Sequence, residues 1–394
     1  MVRDKRNRYL SGHMKRDWGS FMREFEYFLF ENFDADKESQ NPYNPRRFLG
    51  KETDAVLSAI ARQPVNTCDY KGCCDQFGAD MIQKLIEGGI LRRSGTALVF
   101  DCPVFLREDA VVLKSGVAAK AAGLADLLER KVMELRAFCA QIQNGFSVER
   151  NLYHILCSMV FDGSFFGYLC DKGALAVSRQ HSSGLDYLSV LYEKCDELQT
   201  LSDGLLCSYN RLVNDQCSLQ SFGDANGDRF DFYRFFRLME REELPDRFKE
   251  ARTLLYENYG GADKDALLAD VARLIRTGQC VASVEKLLEL FDYMQSGTVC
   301  VPVYLPEHRK YITEIGAIVE NCLGEMLSGA LIDLAGSIEI TAVRHGVNRL
   351  EIANELYHIL FGFVNEELVS RQMVAAPRQF PGEGRYLKCV EMRQ

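Results

Sequence analysis

The pentapeptide Leu152-Tyr153-His154-Ile155-Leu156 recurs unchanged as Leu356-Tyr357-His358-Ile359-Leu360, about two hundred positions further along the chain. Four more landmarks recur in the same order and with nearly the same spacing. The matched stretches are Lys84–Glu87 with Lys286–Glu289, Ser94–Thr96 with Ser296–Thr298, Pro103–Glu108 with Pro302–Glu307, and Arg179-Gln180 with Arg378-Gln379. A common order over residues 84–191 and 286–390 favours a tandem duplication over chance. The sequence therefore predicts two copies of one fold.

Composition limits the class of protein. A chain of 394 residues with 47% hydrophobic content is long enough for several domains with their own cores. The N-terminus does not resemble a signal peptide, and no apolar run approaches the roughly 20 residues that cross a bilayer. We therefore expect a cytoplasmic protein without membrane contact. Its 14 cysteines are scattered through apolar segments, which indicates reduced, buried thiols rather than disulfides or a zinc site.

Charge is distributed unevenly. The net charge of −9 arises after residue 107, whereas the first part of the chain is close to neutral. That part begins with a basic tail, composed of Arg3, Lys5, Arg6, Arg8, Lys15 and Arg16. A polyanion would meet the chain here, although a solvated tail is the commoner meaning of such a run.

Hydrophobic spacing after the tail predicts the first elements. Apolar residues recur every three or four positions over 17–32, which predicts an amphipathic helix. Two prolines in Asn41–Pro45 then break the chain. Residues 192–246 have no counterpart in the other copy, and we expect helices there at 192–213 and 229–242.

Residues 51–107 carry the most informative pattern. A helix around Val56–Ala61 is followed by a polar segment, Thr67–Phe77, and by a strong helix, Ala79–Glu87. Two glycines end that helix. Strands are then predicted at Ile90–Arg93 and Ala97–Phe100, joined by a Ser-Gly-Thr turn.

Helices followed by a β-hairpin resemble a winged helix-turn-helix domain. The run Leu85–Arg93 is similar to the end of the recognition helix and the first wing strand of bacterial transcription regulators, and the resemblance covers about 55 residues. It implies that Gln83 and Lys84 face the major groove of double-stranded DNA, and that Arg92 and Arg93 hold its phosphate backbone.

Two observations leave a second interpretation open. Asp80 and Glu87 lie on the same predicted recognition helix, and the domain is nearly neutral, whereas counterion release needs several unopposed cations. Winged helices also serve as protein-docking modules. In the second copy Met294 and Gln295 replace the two wing arginines, so we expect DNA contact mainly through the first copy.

The repeated pentapeptide contains two of the six histidines. A buried, neutral histidine in a helix accounts for His154 and His358 without any function. Alternatively, these residues and their neighbours form an effector pocket, with equivalent arginines as anchors for a small anionic effector. That candidate pocket comprises Tyr153, His154, Arg179, Tyr357, His358 and Arg378.

The predicted fold class is α+β, mostly helical, with two tandem winged-helix-plus-helical repeats related by a pseudo-twofold axis. The predicted division is a basic tail and helix at 1–45, a first winged helix at 46–107, a first helical and hairpin domain at 108–191, a helical linker at 192–246, a second, degenerate winged helix at 247–305, and a second helical and hairpin domain at 306–394.

Three functions are compatible with this division. The first is a DNA-binding transcription regulator, and the second is a protein-interaction scaffold whose winged helices no longer bind DNA. The third is an enzyme with a site between the halves, which the absence of the common phosphate-loop, dinucleotide, zinc-protease and nucleophile-elbow motifs makes the least favoured. We expect no cofactor and no metal.

Overall fold

The computed structural model describes residues 22–31, 41–203, 207–224, 229–240, 244–380 and 383–393. This part of the chain is mixed α/β and about 57% helical, with small sheets. The expectation of a mostly helical α+β protein is therefore confirmed. The predicted basic tail, from Arg3 to Arg16, lies outside the described residues.

The described chain divides into two compact units. The first unit contains the described residues up to Gly116 together with Gly173–Thr200 and Gly329–Leu356. The second unit contains Val117–Lys172, Leu201–Ser328 and the described residues from Tyr357 onward. Each unit thus combines stretches that are far apart in the sequence, while the division into consecutive domains stays a prediction.

The helical elements account for most of the described residues. The α-helices are α1 (Pro45–Phe48), α2 (Lys51–Ala61), α3 (Tyr70–Phe77), α4 (Ala79–Glu87), α5 (Ala110–Glu129), α6 (Val132–Cys139), α7 (Val148–Leu152), α8 (Phe165–Asp171), α9 (Asp196–Asp203), α10 (Phe232–Glu240), α11 (Lys249–Tyr259), α12 (Lys264–Thr277), α13 (Ala282–Leu290), α14 (Arg309–Ser337), α15 (Thr341–Arg344) and α16 (Arg349–Ser370). A π-helical segment, Tyr153–Ser164, joins α7 to α8.

The strands are short, apart from those that form the two larger sheets. They are β1 (Phe25–Glu31), β2 (Leu91–Ser94), β3 (Ala97–Phe100), β4 (Val104–Phe105), β5 (Arg179–Gln180), β6 (Asp186–Glu193), β7 (Cys207–Val213), β8 (Cys217–Asp224), β9 (Met294–Gln295), β10 (Thr298–Val299), β11 (Val303–Tyr304), β12 (Gln379–Phe380) and β13 (Gly384–Met392).

The sheet of the first unit is built around β6, whose side chains are almost all buried. Strand β1 pairs with β6 antiparallel, β4 pairs with it parallel, and β5 pairs with it antiparallel. The register sets Phe105 beside Tyr192, and their rings stack with centroids 4.9 Å apart. The Tyr192 hydroxyl donates to the carboxyl group of the buried Glu355.

The sheet of the second unit has the strand order β11-β13-β8-β7, with β12 also paired to β13. Here the register sets Tyr304 beside Glu391, and the Tyr304 hydroxyl donates to Asn151 Oδ1 at 2.9 Å. Stacked phenylalanines fill much of the adjacent core. They are Phe230, Phe232, Phe235, Phe248 and Phe291.

The helix predicted over 17–32 is wrong where the structure describes it. Phe25–Glu31 forms strand β1, which pairs with β6 over its whole length. Phe25, Phe28 and Leu29 have helical spacing, but aromatic residues also favour strands, and the long ladder with β6 decides the conformation. Residues 17–21 and 32 lie outside the described part.

Two other expectations need correction. The helix predicted over 192–213 is interrupted, because Cys207–Val213 forms strand β7 and pairs with β8, so the 192–246 stretch is not an all-helical linker. The polar segment Thr67–Phe77 contains helix α3, which Asp69 caps by accepting from the backbone N–H of Gly72 at 2.7 Å. The expected helix at 229–242 is confirmed as α10.

The two copies of the repeated pentapeptide are both helical but differ in hydrogen-bond spacing. Residues 153–156 begin the π-helical segment, whereas residues 356–360 lie within α16. Matching positions therefore belong to different helix types, and the duplication stays a prediction.

The stretch Pro306–Ser337, which includes α14, is long and apolar enough to cross a membrane, with a mean hydropathy of 1.4 over its most apolar window. Core helices of soluble proteins share these properties. A composition of this kind is weak support for a membrane span.

Candidate functional site

Helices α3 and α4 form a tight corner in the first unit. Gly78 alone separates them, with φ of +91°, a backbone conformation that glycine adopts without strain. Ile82 and Leu85 of α4 are fully buried. Their burial leaves the opposite face of α4, which includes Gln83, exposed.

The polar side chains on that face already interact with acidic neighbours. Lys84 Nζ lies 2.7 Å from Asp80 Oδ2, and Gln83 Nε2 donates to Glu87 Oε1 at 2.7 Å. The Asp80 side chain is 84% exposed, so this ion pair is a weak surface contact that another anion can replace.

The hairpin of β2 and β3 follows α4 as predicted. Ser94 pairs with Ala97 and Leu91 pairs with Phe100, and the turn between them contains Gly95 with φ of +63°. Arg93 is exposed, and its guanidinium lies 4.3 Å from the centroid of the Tyr70 ring. Arg93 is therefore the outward-facing cation of the hairpin.

Arg92 lies next to Arg93 on β2, and its guanidinium contacts other residues of the first unit. Its Nε lies 3.1 Å from Asp101 Oδ1, and a terminal nitrogen donates to the carbonyl oxygen of His345 at 2.7 Å. The backbone N–H of Phe100 donates to His345 Nδ1 at 3.2 Å. Burial lowers the pKa of His345 to about 4, so this imidazole is a neutral acceptor at neutral pH.

Arg179 closes the same cluster from β5. It pairs with Asp101 Oδ2 at 3.2 Å and with Glu351 Oε1 at 3.4 Å, and it donates to the carbonyl oxygen of Gly89 at 2.9 Å. Burial raises the pKa of Glu351 to about 7. The cluster of Arg92, Asp101, Arg179 and Glu351, which we call the clasp, fixes the end of α4 and the hairpin.

Gly89 is required by the clasp. Its φ is +64°, and a Cβ atom there would overlap the ring of His181 and lie 2.8 Å from a terminal nitrogen of Arg179. A larger residue would displace both side chains.

Four of the predicted effector residues lie in the second unit on two separate helical segments, where Tyr153, His154 and Tyr357 are buried and His358 is half-buried. His154 is fully buried beside the ring of Tyr304, and burial lowers its pKa to about 3. Tyr153 packs on Phe222. These contacts agree with the interpretation of His154 as a neutral core histidine.

Tyr357 and His358 have different surroundings. The Tyr357 hydroxyl donates to the carbonyl oxygen of Phe161 at 2.6 Å. His358 Nε2 lies 3.8 Å from Asp162 Oδ1, and burial raises the pKa of Asp162 to about 7. The structure thus brings Tyr357 and His358 into contact with the π-helical segment.

Of the six predicted effector residues, Arg378 alone lines the cavity of about 630 Å³ in the second unit. Sequence reasoning missed two other cations in its wall, Arg150 and Lys388, because they are distant in sequence from each other and from the second hairpin. It also missed Asp101 and Glu351, whose roles depend on Arg179.

Thirteen cysteines among the described residues form no disulfide. Within the same residues, no group of three or more His, Cys, Asp and Glu side chains is arranged to hold a metal.

Comparisons of the chain with family models, with curated proteins and with solved structures found no match.

Proposed function

We propose that the protein is a cytoplasmic DNA-binding transcription regulator that contacts double-stranded DNA through residues 51–107. In this proposal α3 and α4 act as a helix-turn-helix, β2 and β3 form the wing, and a tandem duplication supplied a second, degenerate copy at residues 247–305. The winged-helix resemblance of the sequence supports this assignment.

The observation that carries the proposal is the exposed polar side of α4 together with an exposed arginine on the hairpin. Gln83 and Lys84 lie on that face of α4, where a recognition helix reads base edges. Arg93 projects from the wing with no acidic partner among the described residues. Because Arg92 belongs to the clasp, we assign the phosphate contact of the wing to Arg93.

The second copy lacks this face. Met294 is buried at the position that matches Arg92, and Gln295 matches Arg93. Lys286 matches Lys84 and lies 3.4 Å from Glu250. The second copy therefore offers fewer cations for phosphate contacts, which supports DNA binding through the first.

The test is an anisotropy titration of labelled duplex at two salt concentrations. The variant Lys84→Ala/Arg93→Ala should bind all sequences more weakly, and its salt slope should fall by about one for each phosphate that the protein no longer neutralises. The matched control is Lys286→Ala/Gln295→Ala, which should bind like wild type. Gln83→Ala should change sequence preference more than overall affinity.

Protein docking is the second candidate function, and the pairing of Lys84 with Asp80 and of Gln83 with Glu87 favours it. A helix face with balanced charges suits a protein partner better than a polyanion. If wild type fails to bind duplex even at low salt, or if the double variant binds as tightly as wild type, DNA binding is rejected and the docking role takes its place.

A further inference from the structure

The second unit contains a cavity of about 630 Å³ beside its short hairpin. Its wall is formed by residues around β9, by the start of α7, and by the chain that leads into β12 and continues through β13. This volume lies within the range of about 300–1,000 Å³ that is typical of small-molecule sites. We call it the Arg378 cavity.

Three cations line the cavity. Arg378 is exposed and lies over the ring of Phe380, with 5.1 Å between the guanidinium carbon and the ring centroid. Arg150 is half-buried, and its Nε atom is fully buried without a hydrogen-bond partner among the described residues. Neither arginine forms an ion pair with any described residue.

Lys388 is the third cation, and its side chain is only 4% exposed. Its Nζ donates to the carbonyl oxygen of Phe291 at 2.6 Å and lies 3.6 Å from Asp292 Oδ2. Asp292 therefore offsets the charge of Lys388, although its own side chain is 64% exposed.

One further carboxylate, Glu289, lies in the wall. Its Oε1 accepts from the backbone N–H of Gly297 at 3.4 Å, so it is turned toward the hairpin turn. The two arginines consequently remain as cations without an ion-pair partner among the described residues, next to an apolar part of the wall that contains Met294, Val301, Phe380 and Leu387.

We propose that the Arg378 cavity binds a small organic phosphate, with the phosphate group held by Arg150 and Arg378 and the organic part against the apolar wall. Guanidinium groups match the oxygens of a phosphate with paired hydrogen bonds. A dianionic phosphate also balances the charge of two arginines. The inference does not depend on DNA binding by the first unit, because the ligand meets residues of the second unit only.

Burial supports this assignment independently of the geometry. Desolvation lowers the pKa of Arg150 and that of Lys388, which means that burial makes their charged forms less stable than in water. A bound anion offsets that cost.

The test is calorimetric titration of the full chain, without DNA, with adenosine monophosphate, glycerol 3-phosphate and phenyl phosphate. At least one should bind, and Arg378→Ala should weaken it about tenfold or more, the usual effect of removing a charge-assisted hydrogen bond. Arg150→Ala should act in the same direction. Adenosine, glycerol and phenol, which lack the phosphate, should not bind.

Arg130→Ala is the matched control, since Arg130 is an exposed arginine of the same unit outside the cavity, and it should bind like wild type. Circular dichroism should show that Arg378→Ala remains folded, because the side chain is on the surface. The proposal is overturned if none of the three phosphates binds wild type, or if Arg378→Ala binds as tightly.

Titrations with inorganic phosphate and with a short DNA duplex test whether the cavity binds other phosphate-containing ligands. Weak binding of inorganic phosphate at this site would support the role of the arginines. Displacement of the organic phosphate from wild type by duplex, together with loss of direct duplex binding in Arg378→Ala, would instead assign the cavity to the nucleic-acid backbone and overturn the proposal.

Discussion

Arg179 and Arg378 occupy matching positions in the two predicted repeats, yet their surroundings are opposite. Arg179 is bound in the clasp by two carboxylates and a carbonyl oxygen. Arg378 forms no ion pair with any described residue and lines a cavity. At matching positions of the predicted repeats, an arginine thus ties segments of the first unit together, whereas in the second unit it has no ion-pair partner among the described residues.

The difference arises from the partners. In the first copy six residues separate the Ser-Gly-Thr turn from Pro103, and they include Asp101; in the second copy only three residues precede Pro302. Counting back from the repeated pentapeptide, Ser147 matches Glu351. Arg378 therefore has the counterpart of neither carboxylate that holds Arg179, and a cationic side chain without them is available to a ligand.

The largest effect is expected where the clasp loses Arg179. Arg179→Ala leaves Asp101 and the buried Glu351 facing each other, and should lower the free energy of unfolding by about 3 kcal/mol. Arg378→Ala should change it by less than about 0.5 kcal/mol. Urea unfolding followed by circular dichroism measures both. Equal losses would show that the two arginines have the same role.

The pH dependence of the clasp should be almost as large. The pKa of Glu351 is raised to about 7 from 4.5, so the folded state keeps a proton that the unfolded state releases between these values. The stability of wild type should therefore fall as pH rises from about 4.5 to 7. Glu351→Gln should remove a fall on the order of 3 kcal/mol. Urea midpoints at pH 4.5, 6 and 8 test this, and parallel curves for the two proteins would contradict it.

The stability losses on removing the hydroxyls of Tyr192 and Tyr304, the buried tyrosines of the two larger sheets, should differ by a smaller amount. Tyr192→Phe removes a donor from the buried Glu355 and should cost about 2 kcal/mol. Tyr304→Phe should cost about 1 kcal/mol or less, because Asn151 Oδ1 also accepts from Asn144 Nδ2 at 3.0 Å and keeps a partner. Thermal unfolding of the two single variants provides the comparison, and the reverse order would refute it.

The smallest difference is expected between Arg92 and Arg93, the adjacent arginines of strand β2. Arg92→Ala breaks its contacts with Asp101 and the His345 carbonyl and should cost about 1 kcal/mol. Arg93→Ala should cost less than about 0.5 kcal/mol. In the duplex titration the order should reverse, with Arg93→Ala the weaker binder. Arg92→Ala weakening DNA binding more, with unchanged stability, would return the phosphate contact to Arg92.

Local signals in the sequence predicted local structure well. The glycine pair after Glu87 and the Ser-Gly-Thr turn indicated α4 and the hairpin within a residue or two of their observed bounds. These elements are decided by backbone conformations that few residues other than glycine adopt. The fold class followed from the same patterns.

Contacts between residues far apart in the sequence determined the features that local patterns did not predict. Phe25–Glu31 is a strand because β6, more than 150 residues away, pairs with it. The sequence indicated a phosphate contact for Arg92. Its actual partner, the His345 carbonyl, lies 253 positions further on, where no local pattern reveals it. The cations of the cavity wall were missed for the same reason, since a pattern in one segment carries no information about the segment packed against it.

The composition of the first unit has a consequence for its synthesis. Its hairpin and α4 belong to a unit that also requires Gly329–Leu356, so the clasp stays incomplete until the ribosome has made and released Glu351. At a translation rate of about 5–20 residues per second, Glu351 is synthesised on the order of ten seconds or more after Arg92 and Asp101. During this interval the nascent chain exposes apolar surface that the finished unit covers. We therefore expect translation to yield no independently folded N-terminal fragment, and chaperone contact to be concentrated in this waiting period.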